Sequence, residues 1–135
     1  MQVKKALVLG QILPGIPEFL EKLKNKGYQT ALGSASKSGR MILEKLGLDS
    51  KFDVIVEGKL VERPKPDPEV FVKAAQLLGV PCEECIVVED AQAGVQAAHA
   101  GGMKCIGIGD ERILGEAEKV VSDTEELNRV DLERL

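Results

Sequence analysis

Residues Cys85–Val88 form a continuous apolar run that stops at two adjacent acids, Glu89-Asp90. A strand without apolar–polar alternation must be covered on both faces, as a central strand of a parallel sheet is. Ala91-Gln92-Ala93-Gly94 follows at once and opens a small-residue helical stretch to Ala100, able to pack close to a sheet. A strand that ends in carboxylates and turns directly into a helix belongs at the C-terminal edge of an open α/β sheet, where such sheets bind ligands. Two acids there suit a hard cation such as Mg²⁺, which takes oxygen ligands. The same residues permit a plainer role, a strand end with Asp90 as helix N-cap, because Asp is a favoured cap.

The rest of the chain repeats the alternation of strand and helix. Strand-like runs occur at Lys5–Leu9, Gln29–Leu32, Phe52–Val56, Lys104–Ile108 and Lys119–Val121. Between them, Pro14–Lys26 places Ile16, Phe19, Leu20 and Leu23 on one helical face and ends at Gly27. Lys37–Leu46 reads as a helix with Met41, Ile42 and Leu46 inward. Glu69–Leu78 carries Val70, Phe71, Ala74, Leu77 and Leu78, and Glu125–Leu135 reads as a weak last helix. This order predicts an α/β fold, a Rossmann-like three-layer sandwich with a mostly parallel sheet. At 135 residues, a single domain over 1–135 is expected.

Composition removes several classes of function. Net charge is −4 with no basic cluster, which argues against nucleic acid as a partner. Aromatics are 3% of residues, too few for base-stacking platforms. No apolar run approaches the roughly 20 residues of a membrane helix, and Ala6–Leu9 is short for a secretory core, so no membrane partner and a cytoplasmic location are expected. Cys82, Cys85 and Cys105 are an odd set read as reduced thiols. Cys82 and Cys85 have C-x-x-C spacing, but a zinc site needs two further ligands, and Cys85 enters a strand where a redox pair would open a helix.

Three further features bear on chemistry. Gly33-Ser34-Ala35-Ser36-Lys37-Ser38 joins a strand end to a helix start, and small residues there let backbone amides approach an anion. Ser34 adds a hydroxyl at the strand tip; an ordinary serine cap is the simpler alternative. Lys65 stands between Pro64 and Pro66, which restrict the backbone on both sides. A lysine so held can aim its ammonium at a phosphate, or it can be a solvated residue of a stiff loop with Asp67 capping the next helix. Ser34, Lys65 and the Glu89-Asp90 pair, in that order, converge on one sheet edge as a phosphate-plus-Mg²⁺ site.

Here the chain resembles the haloacid dehalogenase-like superfamily, and within it the β-phosphoglucomutase subfamily. The resemblance runs colinearly from about Leu13 to Ile108. It rests on Leu13-Pro14-Gly15-Ile16, Ala31-Leu32-Gly33-Ser34-Ala35-Ser36-Lys37, Ile42-Leu43-Glu44-Lys45-Leu46, Lys65-Pro66-Asp67-Pro68-Glu69-Val70-Phe71 and Glu89-Asp90-Ala91-Gln92-Ala93-Gly94-Val95. It implies phosphoryl transfer through an aspartyl-phosphate, with a second aspartate as general acid–base and Mg²⁺ between nucleophile and phosphoryl oxygens. It implies Ser34 and Lys65 in catalysis, Ser34, Ala35, Ser36 and Lys65 on the phosphate, and Glu89 and Asp90 on the metal. Asp90 would touch it directly and Glu89 through water. The implied ligand is a small phosphorylated sugar or inorganic phosphate.

The sequence departs from that family in two places. The family's first strand ends in Asp-x-Asp, whereas no aspartate precedes Asp49, and Gly10 and Ile12 would take the two positions. The family's cap domain follows that strand, whereas only Gln11 and Ile12 separate Gly10 from Leu13, so the cap is expected to be absent. Residues 1–10 are either a remnant of the cap's last helix or a first strand. The strand is favoured, since Val3, Ala6, Leu7, Val8 and Leu9 suit a buried strand and a missing central strand would leave unpaired backbone groups. Three functions remain open: a phosphoglucomutase-type core that is inactive alone, a non-catalytic phosphate and Mg²⁺ module, or a partial chain completed by a partner. A self-contained fold predicts a monomer, and a fragment with an open sheet predicts aggregation or a strand-exchanged dimer.

Overall fold

The computed structural model describes residues 5–34 and 38–135. Six strands form one all-parallel sheet: β1 (Ala6–Leu9), β2 (Gln29–Gly33), β3 (Val54–Val56), β4 (Cys85–Glu89), β5 (Lys104–Ile108) and β6 (Lys119–Val121). Their spatial order is β3-β2-β1-β4-β5-β6. The segment around residues 5–9 is therefore a strand, and it is central. Ala6 through Leu9 pair with Gln29 through Leu32 on one side and with Cys85 through Val88 on the other. The remnant-helix alternative for these residues is set aside, and the chain itself fills the middle of its sheet.

Side-chain alternation along β1 divides the core between two layers. Ala6 and Val8 join a cluster with α3 (Glu69–Leu78) and α4 (Gln92–Ala100) through Phe71, Ala74 and Val95. Leu7 and Leu9 join the opposite cluster with α1 (Ile16–Asn25) and α2 (Gly39–Leu46) through Phe19, Leu23 and Leu43. The result is the expected three-layer sandwich. Helices α5 (Glu111–Leu114) and α6 (Thr124–Leu127) complete the two layers through Leu114 and Leu127.

Two expectations are corrected. Met41, Ile42 and Leu46 are exposed at 56%, 42% and 57%; the face of α2 that packs inward carries Gly39 and Leu43. Eight residues allow either apolar stripe, and the structure turns the helix so that Gly39 rests against Ser34. The segment 125–135 is not one helix either. It breaks into α6 and a short 3₁₀ turn, Leu132–Arg134, with Asp123 and Asp131 capping the two pieces. Each aspartate accepts a backbone hydrogen bond in its own turn, which starts two helices where one was expected.

Candidate phosphate and metal site

The strand order reverses at β1 and β4: successive strands run outward from β1 through β2 to β3, then return to the other side of β1. A crevice opens where the loops leave in opposite directions, outside the C-terminal ends of the strands. A cavity of about 630 Å³ lies there, lined by Gly10, Ile12, Ser34, Ile42, Lys65, Glu89, Asp90 and Gly94 among others. The topology thus brings Ser34, Lys65, Glu89 and Asp90 into one place. Ala35 and Ser36 lie outside the described residues.

Lys65 is fixed from three sides. Its ammonium donates to the Gly10 carbonyl at 2.9 Å and to Glu89 Oε2 at 2.9 Å, and it lies 4.9 Å from the centre of the Phe71 ring. Its side chain is 11% exposed, so the solvated-loop alternative does not hold. The Lys65–Pro66 peptide bond is cis. Asp67 Oδ1 accepts from the Glu69 amide at 3.0 Å, so it serves the start of α3 as the plainer account of this loop expects.

Glu89 is a buried carboxylate with both oxygens engaged. Oε1 accepts from the Asp90 and Ala91 amides at 3.0 and 3.2 Å, and Oε2 takes the Lys65 ammonium. The side chain fits because two of its neighbours are glycines. A methyl group at Gly10 would lie 1.9 Å from Glu89 Oε2, and one at Gly94 would lie 1.9 Å from Glu89 Cγ. Any other residue at Gly94 would push on the Glu89 stem. Asp90 is exposed at the cavity and does not cap α4, whose N-cap is Ala91. The capping alternative for Asp90 is therefore replaced by an open carboxylate.

Sequence reasoning missed Gly10 and Gly94 as a cradle, and it missed Glu57. Glu57 is 5% exposed, one residue past the end of β3, and its Oε2 accepts from the Arg40 amide at 3.3 Å. The start of α2, expected to greet a phosphate, thus already meets a carboxylate of the protein. No motif flags Glu57; only its place after an apolar strand hints at it. The thiols take no part: Cys85 and Cys105 are buried in strands, and burial pushes each up to about 12.

The donor set suits Mg²⁺ only together with a phosphate. Among the described residues no group of three His, Cys, Asp or Glu side chains gathers to hold a metal. Glu89 is committed to Lys65 and two amides, which leaves Asp90 as the open carboxylate. Mg²⁺ is commonly held by one or two carboxylates, water and substrate phosphate oxygens, and this arrangement meets that description. The charge balance points the same way. Lys65 contributes one positive charge to the described lining, and Glu89 and Asp90 contribute two negative ones. A bare anion would enter against that balance, and a divalent cation reverses it.

A family profile of haloacid dehalogenase-like hydrolases matches residues 3–108. β-Phosphoglucomutase of Bacillus subtilis is 36% identical over 116 residues, covering 86% of this chain and 51% of that protein. A phosphorylated carbohydrates phosphatase of Thermotoga maritima is 35% identical over 108 residues, covering 76% of this chain and 50% of that protein. The crystal structure of β-phosphoglucomutase from Clostridium difficile superposes with a TM-score of 0.82 at 36% identity, over 91% of this chain and 54% of that one. The chain spans about half the length of these relatives. Sheet order, strand-tip residues and similarity agree: the chain belongs to the haloacid dehalogenase-like hydrolases, on their β-phosphoglucomutase-like branch.

Proposed function

We propose that this chain is a phosphoryl-transfer core that binds phosphate, or the phosphate of a small sugar phosphate, together with Mg²⁺, and that it does not by itself carry out the family's chemical step. The observation that carries this reading is the cavity at the β1–β4 switch point, where Lys65, Ser34 and Asp90 converge while Gly10 ends the central strand. Glycine has no group that can attack phosphorus, and Ile12 none that can move a proton. The cap domain is taken as absent from this single-domain chain, so residues that would recognise a sugar from above the cavity are missing too.

Each remaining residue has a defined part. Lys65 presents a largely desolvated positive charge at the cavity, with two of its three hydrogens given to Gly10 and Glu89. Glu89 holds Lys65 in place through the 2.9 Å ion pair. Ser34 would offer its hydroxyl to a phosphate oxygen, and the family resemblance assigns Ala35 and Ser36, which lie outside the described residues, to the same phosphate. Asp90 would hold Mg²⁺ directly and Glu89 through water; the ion supplies charge neutralisation on the phosphoryl oxygens. We read the chain as a monomer in the cytoplasm, without nucleic-acid or membrane partners. No helix among the described residues is long and apolar enough to cross a membrane.

Thermal unfolding tests the reading. Inorganic phosphate and Mg²⁺ together should raise the midpoint, by linkage worth about 2.7 kcal/mol at a hundredfold excess over Kd, while phosphate alone should do little. Asp90→Asn should remove the Mg²⁺-dependent part. Equal stabilisation of wild type and Asp90→Asn would end the metal assignment. Incubation with acetyl phosphate and Mg²⁺ should leave the intact mass unchanged, and β-glucose 1-phosphate should not turn over. A hydroxylamine-labile phosphoryl adduct with turnover would mean that another carboxylate replaces the missing aspartate.

A further inference from the structure

We propose that Glu57 is a positioning residue of the phosphate site: it clamps the first turn of α2 onto the end of β3 and, through Gly39, holds Ser34 in place for a phosphate oxygen. The inference rests on the phosphate reading above. Glu57 does not line the cavity where Ser34, Lys65 and Asp90 converge, so it acts on a ligand only through its neighbours.

The first turn of α2 is capped from a distance. Ser38, at the N-cap, makes no side-chain cap hydrogen bond to the turn. The Arg40 amide, two residues on, belongs to the donors that a helix start leaves without an intrahelical partner. Glu57, 17 residues further along the chain, supplies the acceptor, with Oε2 at 3.3 Å. Its other oxygen, Oε1, lies 3.9 Å from Arg40 Nε and 3.7 Å from Lys59 Nζ. The carboxylate is buried, whereas both cations are exposed and reach it from solvent. A buried carboxylate is costly unless its oxygens are engaged, and here both are. The aligned amides of the helix start favour a negative group at this end.

The same strand end also holds Ser34. The Ser34 amide donates to the Val56 carbonyl at 2.9 Å, and Glu57 is the next residue. Val56 thus fixes the backbone of Ser34 while Glu57 fixes the start of α2. Gly39 closes the triangle. A methyl group there would stand 3.2 Å from Ser34 Cβ and 3.4 Å from Ser34 Oγ, so the helix start is close-packed on the serine side chain. A binding group has to be held within about 0.5 Å by neighbours that are themselves locked. Releasing the Arg40 amide would let Gly39 lift, and the Ser34 hydroxyl would lose the wall that sets its direction.

Amide NMR titration of the full chain with inorganic phosphate in the presence of Mg²⁺ tests this, because position, charge and fold predict different orders of affinity. Glu57→Ala removes the clamp and should weaken phosphate binding about tenfold, the scale of one hydrogen bond to a charged group. Glu57→Gln keeps an oxygen for the Arg40 amide and should bind within about twofold of the wild type. In a Ser34→Ala background, Glu57→Ala should weaken binding no further, because its effect passes through the serine. A purely electrostatic role predicts that the Gln and Ala variants both bind phosphate more tightly than the wild type. A purely structural role predicts that Glu57→Ala melts earlier with its phosphate affinity unchanged. Either result overturns the positioning role, as do additive losses in the Ser34→Ala background. Should Glu57→Ala fail to fold, Glu57→Asp replaces it: the charge stays, the carboxylate withdraws by one carbon, and phosphate affinity should again fall. A wild type that binds no phosphate overturns the phosphate reading, and this inference with it.

Discussion

The two edges of the sheet each carry a lysine–glutamate pair, and the pairs differ in almost everything but chemistry. At the C-terminal edge, Lys65 and Glu89 have side chains 11% and 3% exposed, wedged between Gly10 and Gly94. At the other edge, before β1, Lys5 pairs with Glu133, with 40% and 57% of the side chains exposed, and Tyr28 Oη donates to the same carboxylate at 2.8 Å. Water solvates the second pair whether or not it forms. The first pair has no such alternative, so each partner is obligatory for the other. An ion pair near the surface fastens a tail, whereas a buried one fixes the position of a functional charge.

The largest expected effect breaks the buried pair from one side. Lys65→Met leaves Glu89 as an uncompensated buried charge and should lower stability by about 3–5 kcal/mol in urea unfolding. Replacing both groups, Lys65→Met with Glu89→Leu, should recover more than half of that, because no charge remains buried. A single-variant loss below about 1 kcal/mol would show Glu89 to be solvated, and the contrast between the edges would disappear.

Gly94→Ala gives a smaller effect whose sign is informative. In an unconstrained helix interior this change stabilises by up to about 1 kcal/mol. Here the new methyl meets Glu89 Cγ at 1.9 Å, and overpacking of this kind costs about 1–3 kcal/mol. The variant should therefore be less stable than the wild type, and weaker phosphate binding should accompany the loss. A more stable Gly94→Ala protein would mean that Glu89 is free to move away, which removes the cradle.

The smallest effect belongs to the exposed edge. The hydrogen bonds from Lys5 and then Tyr28 hold the Glu133 carboxyl below its ordinary range. A lowered carboxyl stabilises the fold above its ordinary pKa, and the contribution is lost as pH falls through the folded value. The midpoint difference between wild type and Glu133→Gln should thus be small at neutral pH, shrink toward zero in acid, and fade in high salt. A difference that grows as pH falls would reverse the assignment.

How far the sequence was legible depends on the range of the signal. Strand β4 was readable because a non-alternating apolar run states its own burial. Strand β1 was readable for the same reason, and its neighbours followed from the requirement that backbone groups be paired. The motif order placed Ser34, Lys65, Glu89 and Asp90 on one edge before any coordinates. The inward face of α2 was not readable, because Met41, Ile42 and Leu46 also make a plausible stripe, and the choice fell to Gly39 packing on Ser34 and Glu57 meeting Arg40. The break near Asp131 was written in the sequence as a capping residue, yet a cap competes with helix continuation over a margin too narrow to settle by inspection.

By itself the sequence determined the alternation of strands and helices, the parallel sheet, the residues gathered at its C-terminal edge and the lack of an aspartate at the end of the first strand. These follow from periodicity and residue type, which act over a few neighbours. The tertiary structure alone decided what each charge does. Lys65 and Glu89 are 24 residues apart, and no local rule pairs them. They meet because β4 lies beside β1 and two glycines leave room for a carboxylate between strand and helix. Burial then turns that meeting from an optional contact into the fixed centre of the site.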